Sequence, residues 1–162
     1  MAEMSPEKKL DVCQKSLWMI IARMVRAIDE KYGDEGLDAV YTSIRDWDAH
    51  KANLVRYGLT PGKVTPLEMA ERVMIPTGDI AFSMKQQPLV TQDRKTGRVT
   101  YKAVDCNVAQ LIGKECAKTC ATISRAVEVG QAKAANPKMK VSGDKWLATG
   151  HDGCYIYLEL EK

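Results

Sequence analysis

The chain has 162 residues, 45% apolar and 28% charged, with a formal net charge of +3. No Lys/Arg cluster exceeds a pair, which excludes a basic nucleic-acid surface. No apolar run approaches the ~20 residues that span a bilayer, and Met1–Leu10 lacks the apolar stretch of a signal peptide. The expectation is one cytoplasmic domain over residues 1–162, with residues 1–5 flexible and neither nucleic acid nor membrane as partner.

Ser5-Pro6-Glu7-Lys8 reads as a helix start, with Ser5 as cap and Pro6 in the first turn. Leu10, Cys13, Leu17, Ile20, Ile21, Met24 and Ile28 then recur with an amphipathic helical period, and Gly33 ends the segment. Leu37, Val40, Tyr41, Ile44 and Trp47 predict a second helix running to about Gly58, so the two form a helical hairpin. Gly33-Asp34-Glu35-Gly36 is their turn; no Lys-Ser/Thr follows it, so it is not a phosphate loop. Asp46, Asp48 and His50 read as a solvated face, with His50 at the surface or rim.

Thr65-Pro66-Leu67-Glu68 opens a shorter helix that Pro76 and Gly78 terminate. Around the polar turn Asp93–Gly97, two alternating runs predict a hairpin continuing to Val104. Asn107 caps a third long helix reaching Ala135, and Asn136-Pro137 stops it. A last strand pair follows, Met139–Thr149 and Tyr155–Leu160, joined around Gly150–Gly153. Partial cover is expected on both faces of the final strand. The fold class is therefore α+β: a long N-terminal helical hairpin, an antiparallel sheet of about four strands, and a third long helix packed on it.

There are five cysteines. In a reducing compartment disulfides are not expected, which leaves core packing, metal ligation or catalysis. Cys116 and Cys120 are four apart on the third long helix and share a face with Ile112, Ile123 and Val127. Cys106 lies at a strand end before that helix, and Cys154 opens the last strand. As buried thiols these residues pack like small hydrophobes. Converging, Cys106, Cys116, Cys120 and Cys154 would hold zinc or iron. As a catalytic group, Cys106 or Cys154 is the nucleophile, and His151 and Asp152 handle protons. The three readings stay open. Met69, Met74, Phe82 and Met84 stand where they can line a pocket.

The run Cys106, Gly113-Lys114-Glu115-Cys116, Cys120, Asn136–Val141 and Ala148–Tyr157 resembles the L-2-amino-thiazoline-4-carboxylic acid hydrolase-like family. It is more distantly similar to 4-vinyl reductase domains. The match centres on Gly150, Asp152 and Cys154, with His151 inserted between the first two. The resemblance implies a small-molecule-handling domain that hydrolyses a ring or amide-like bond at a cysteine-lined site. The alternative is a non-catalytic sensor or accessory subunit binding a metal, a haem or a hydrophobic ligand. Partners would then be a small molecule, a second copy in a homo-oligomer, or a larger enzyme.

Overall fold

The structure, a computed structural model, describes residues 4–82, 84, 86–106 and 108–161. The predicted cap Asn107, and residues 1–3 of the segment expected to be flexible, lie outside the described residues.

Helix α1 (Pro6–Arg45) begins at the predicted cap, where the Ser5 side chain accepts from the Lys8 amide at 3.4 Å. Gly33 breaks it with φ 59° and ψ −149°. A Cβ placed on Gly36 would lie 2.9 Å from Cγ2 of Ile28. An unbroken helix separates residues eight apart by about 12 Å along its axis, so the two arms fold back on each other at Gly33. Lys118 ties the bend together, reaching Asp29 at 2.7 Å and Asp34 at 3.5 Å. The first arm does not bury the periodic set as one face. Gln14, Trp18, Ala22 and Val25 point inward, while Leu10, Cys13, Leu17, Ile20 and Met24 are exposed. The Trp18 indole N–H donates to the Ala81 carbonyl at 2.8 Å, and that bond sets the rotation of the arm.

In α2 (Ala49–Arg56), His50 is buried at 3% exposure, which overturns its placement at the rim. Its Nε2 lies 2.7 Å from the Ile44 carbonyl oxygen. The ring occupies space that Gly130 leaves open: a Cβ there would fall 2.3 Å from Nε2 and 2.4 Å from the Arg45 carbonyl.

Helix α3 (Pro66–Met69) starts with a capping box in which Thr65 and Glu68 bond each other's backbone. It continues through a π turn (Ala70–Met74) into α4 (Ile75–Phe82), past Pro76 and Gly78, which therefore do not stop it. The Ile75 amide bonds the Ala70 carbonyl five residues back. This wider turn just ahead of Pro76 relaxes the contact its ring would otherwise make with the preceding turn.

Strands β1 (Leu89–Gln92), β2 (Val99–Ala103), β3 (Met139–Lys145) and β4 (Cys154–Leu160) form one antiparallel sheet in the order β1-β2-β4-β3. The β1–β2 turn is closed by Asp93, whose amide donates to Arg98 O at 2.9 Å and whose carboxylate accepts from Lys95 N at 2.7 Å. Tyr101 pairs with Ile156 and Ala103 with Cys154, which places Cys154 beside the end of β2. Strand β3 stops at Lys145, short of the predicted Thr149, because Leu147–Thr149 coils into a 3-10 turn ending on left-handed Gly150 (φ 88°).

The third long helix is divided into α5 (Ala109–Cys116), a π turn (Cys120–Ser124) and α6 (Arg125–Ala135). Gly113 lets α5 approach the 3-10 turn: a Cβ on it would meet the Ala148 carbonyl oxygen at 2.5 Å. The apolar interior falls into two clusters. One joins α2, the Pro66–Phe82 segment, α6 and the sheet around Leu54, Met69, Tyr101 and Ile156. The other joins α1 to α5 and the second π turn around Trp18, Ala22, Val108, Ile112 and Cys120.

Candidate ligand cavity

Between the two clusters lies a cavity of about 130 Å³ whose lining is overwhelmingly apolar. Volume of that order matters: an engineered apolar cavity of about 150 Å³ stays dry and takes up benzene or xenon. On one side stands Trp18, stacked on Phe82 with ring centroids 4.9 Å apart. The Gln14 amide also donates to Ile80 O, so two side chains of α1 clasp the end of α4. On the sheet side Tyr101 lines the cavity and donates to the Met74 carbonyl at 3.4 Å. Gly78 keeps this wall thin, since a Cβ there would stand 2.9 Å from the Met84 sulfur and 3.2 Å from the Tyr101 hydroxyl.

Three of the four grouped thiols face this one space: Cys106, Cys120 and Cys154. Cys116 does not line it and sits half-buried elsewhere. Four-residue spacing fails to keep Cys116 and Cys120 together because α5 ends at Cys116 and a turn at Ala117 interrupts the helix before Cys120. Among the described residues no three Cys, His, Asp or Glu side chains stand close enough together to hold a metal ion. The expected metal site, with zinc or iron on Cys106, Cys116, Cys120 and Cys154, is corrected on that ground. The other two candidates lie outside the cavity. His151 is exposed, and Asp152 is held on the surface by Lys102 and the Tyr155 hydroxyl, each at 3.0 Å. Those two bonds keep the Asp152 carboxyl below the usual carboxylate range.

Burial dominates the electrostatics of the thiols. It pushes Cys154 up to about 11 and raises Cys106 and Cys120 as well. At Cys106 the Val108 and Ala109 amides pull the other way without reversing the shift. At Cys154 the Leu147 amide, 3.4 Å from the sulfur, opposes it in the same manner. Neutral thiols of this kind are not poised nucleophiles. Among the described residues no hydrogen bond joins the His151 ring to any of them. Glu128 also lines the cavity, and burial raises its carboxyl to about 7 against the pull of Arg125, 3.4 Å away.

Of the residues expected to line a pocket, Met74, Phe82 and Met84 do so, whereas Met69 is buried outside it in the larger cluster. Sequence reading missed Trp18, Tyr101, Glu128, Gln131 and Trp146. A signal existed for part of the set. Ser124, Glu128 and Gln131 follow Cys120 at helical spacing, and polar residues at such positions on an inward face are unusual.

No family model matches the sequence, and no curated protein matches it. Among solved structures the chain is similar to a trafficking protein particle complex subunit 3 from Naegleria fowleri, crystallised covalently bound to palmitic acid. The TM-score is 0.62 at 14% identity, over 94% of this chain and 97% of that one, a likeness of fold. It overturns the resemblance to the amino-thiazoline carboxylic acid hydrolases and 4-vinyl reductase domains, since the matching fold is that of a trafficking-complex subunit. The hydrolase reading goes with it, since the matching protein is a subunit of a trafficking complex.

A thiol with a pKa of about 11 is ionised to about one part in ten thousand at neutral pH. Iodoacetamide at neutral pH should therefore modify exposed Cys13 first, with Cys106, Cys120 and Cys154 slower by about 100-fold or more in the folded protein. Peptide mass spectrometry over time reads this order. Prompt labelling of Cys106 or Cys154 would contradict the electrostatic account.

Proposed function

We propose that this chain is a non-catalytic accessory subunit that carries one hydrophobic ligand, of the acyl-chain class, in the cavity between its two apolar clusters. The observation that carries the reading is the cavity itself. It is walled by Trp18, Phe82, Tyr101 and Trp146, and its lining offers little besides apolar surface. Such a space gains free energy when an alkyl chain leaves water, at roughly 0.8 kcal/mol per methylene. The trafficking-complex subunit that shares the fold is itself covalently bound to palmitic acid, which supports an acyl chain as the occupant.

The accessory role rests on a second feature. Leu10, Leu17, Ile20 and Met24, with Cys13 between them, form an exposed row on α1 spaced three and four residues apart. A row of that period is a seam for helix-on-helix packing, and apolar surface of this extent marks a protein contact. Through it the chain joins a larger assembly, and the cytoplasm is the compartment that suits such a subunit. Among the described residues no helix is long and apolar enough to cross a membrane.

Two measurements test these parts separately. In a series of straight-chain ligands, affinity should rise about fourfold per added methylene and level off once the cavity is filled. Cys154→Phe, which puts a ring into the space, should abolish that rise while leaving the circular dichroism unchanged. Affinity independent of chain length would sink the cavity reading. For the assembly, Ile20→Glu should shift the protein to a lower sedimentation coefficient in analytical ultracentrifugation, alone or with its isolated partner. An unchanged assembly would remove α1 as the contact.

A further inference from the structure

Apart from the Thr77 and Tyr101 hydroxyls, which bond Tyr57 and the Met74 carbonyl, the cavity is apolar except at one place. After Cys120 the inward face of the π turn and α6 carries Ser124, Glu128 and Gln131, all three lining the space. Two of them are more than nine-tenths buried, Ser124 at 9% exposure and Gln131 at 6%. The Ser124 hydroxyl has only the Cys120 thiol beside it and no oxygen or nitrogen partner among the described residues, and no hydrogen bond among them engages the Gln131 amide. Leaving a buried hydroxyl or amide unpaired costs about 1–3 kcal/mol each, and folded proteins satisfy nearly all such groups. These two poorly satisfied groups, two helical turns apart and both opening on the cavity, call for a partner that enters with the ligand.

The neighbouring charges narrow what that partner is. Glu128 is the one charged side chain among the described residues that line the cavity. Its Arg125 partner is already occupied, with one nitrogen 3.4 Å from the Glu128 carboxylate and another donating to Val141 O. A carboxylate head would thus meet a carboxyl with no free cation beside it, and one of the two acids would have to take up a proton. An ammonium head would have to shed its water in an apolar space for a carboxyl that Arg125 has already partly neutralised. A hydroxyl carries no charge, donates one hydrogen bond and accepts others. It can accept from the Ser124 hydroxyl or the Gln131 amide while donating to the Glu128 carboxylate that stands between them in sequence.

We propose that Ser124 and Gln131, with Glu128 beside them, form a head-group subsite that takes the uncharged hydroxyl end of the hydrophobic ligand, as in a long-chain alcohol. The proposal rests on the cavity being a ligand site, and adds which end of the ligand is recognised and by what.

Trp18 and Trp146 line the cavity, so intrinsic fluorescence reports its occupancy. Four probes of equal chain length, 1-octanol, octanoate, octylamine and 1-chlorooctane, would be titrated into the full chain in mildly alkaline buffer. The expected result is 1-octanol binding about tenfold tighter than each of the other three, the increment of one or two well-made hydrogen bonds. Gln131→Leu and Ser124→Ala should each reduce that advantage while leaving 1-chlorooctane binding as it was. Octanoate or octylamine binding as tightly as 1-octanol would overturn the proposal. So would an octanol advantage that survives both substitutions. If 1-chlorooctane and 1-octanol bind equally well, the cavity reading stands and the head-group subsite falls. If none of the four binds, both fall.

Discussion

The interior of this protein closes as two apolar clusters rather than one, and most of its other features derive from the gap between them. The larger cluster is organised by the sheet and the helices lying on it; the smaller one belongs to α1 and the Ala109–Ser124 segment. The chain bridges the two chiefly at Trp18, whose ring stacks on Phe82 and whose N–H is committed to the Ala81 carbonyl. Directional contacts of this kind hold α1 at a fixed distance from the sheet. A single collapsed core would instead have let Trp18, Tyr101 and Trp146 close over the space they now border.

Two of the three long helical segments that border the gap contain a π turn, at Ala70–Met74 and at Cys120–Ser124. The first carries the helix past Pro76 and delivers Met74, Gly78, Ala81 and Phe82 to the cavity wall. The second runs from Cys120 to Ser124, both of which line the cavity, while Cys116, ahead of the interruption at Ala117, does not. The extra residue in each turn widens the helix locally and re-aims the side chains of the next turn. Three cysteines, one serine, one glutamate and one glutamine thus gather around apolar space, with no three metal-ligating side chains close enough to hold an ion among the described residues. Burial raises every ionisable group of that set for which a shift is resolved. The cavity is therefore a place that discriminates against charge.

Much of the fold was legible where local chemistry decides it. Ser5-Pro6, the Thr65–Glu68 capping box, the Asp93–Gly97 turn and Asn136 each mark a boundary through bonds made within a few residues. Legibility ended where a distant contact chose between local options. Pro76 and Gly78 signal a helix end on their own, and only the preceding π turn removes that signal. On α1 the periodic apolar residues cannot announce which arc turns inward; Trp18 and its bond to Ala81 decide it, leaving Leu17 and Ile20 outside. His50 reads as a surface residue until Gly130, eighty positions later, supplies the hole that its ring fills. Of the site, strand ends bring Cys106 and Cys154 to one space, whereas helix spacing alone wrongly groups Cys116 with Cys120. The family resemblance was not a guide, because a short Gly-Asp-Cys pattern at the start of a final strand is compatible with more than one fold lineage.

The central claim is that the space between the clusters is a persistent, apolar site. Crystals equilibrated under xenon pressure test it directly, because xenon enters dry apolar cavities without needing a specific head group. The account predicts a strong xenon peak bounded by Trp18, Tyr101 and Cys120, with the surrounding side chains unmoved. A crystal in which those three side chains meet one another and no xenon lies between them would contradict it.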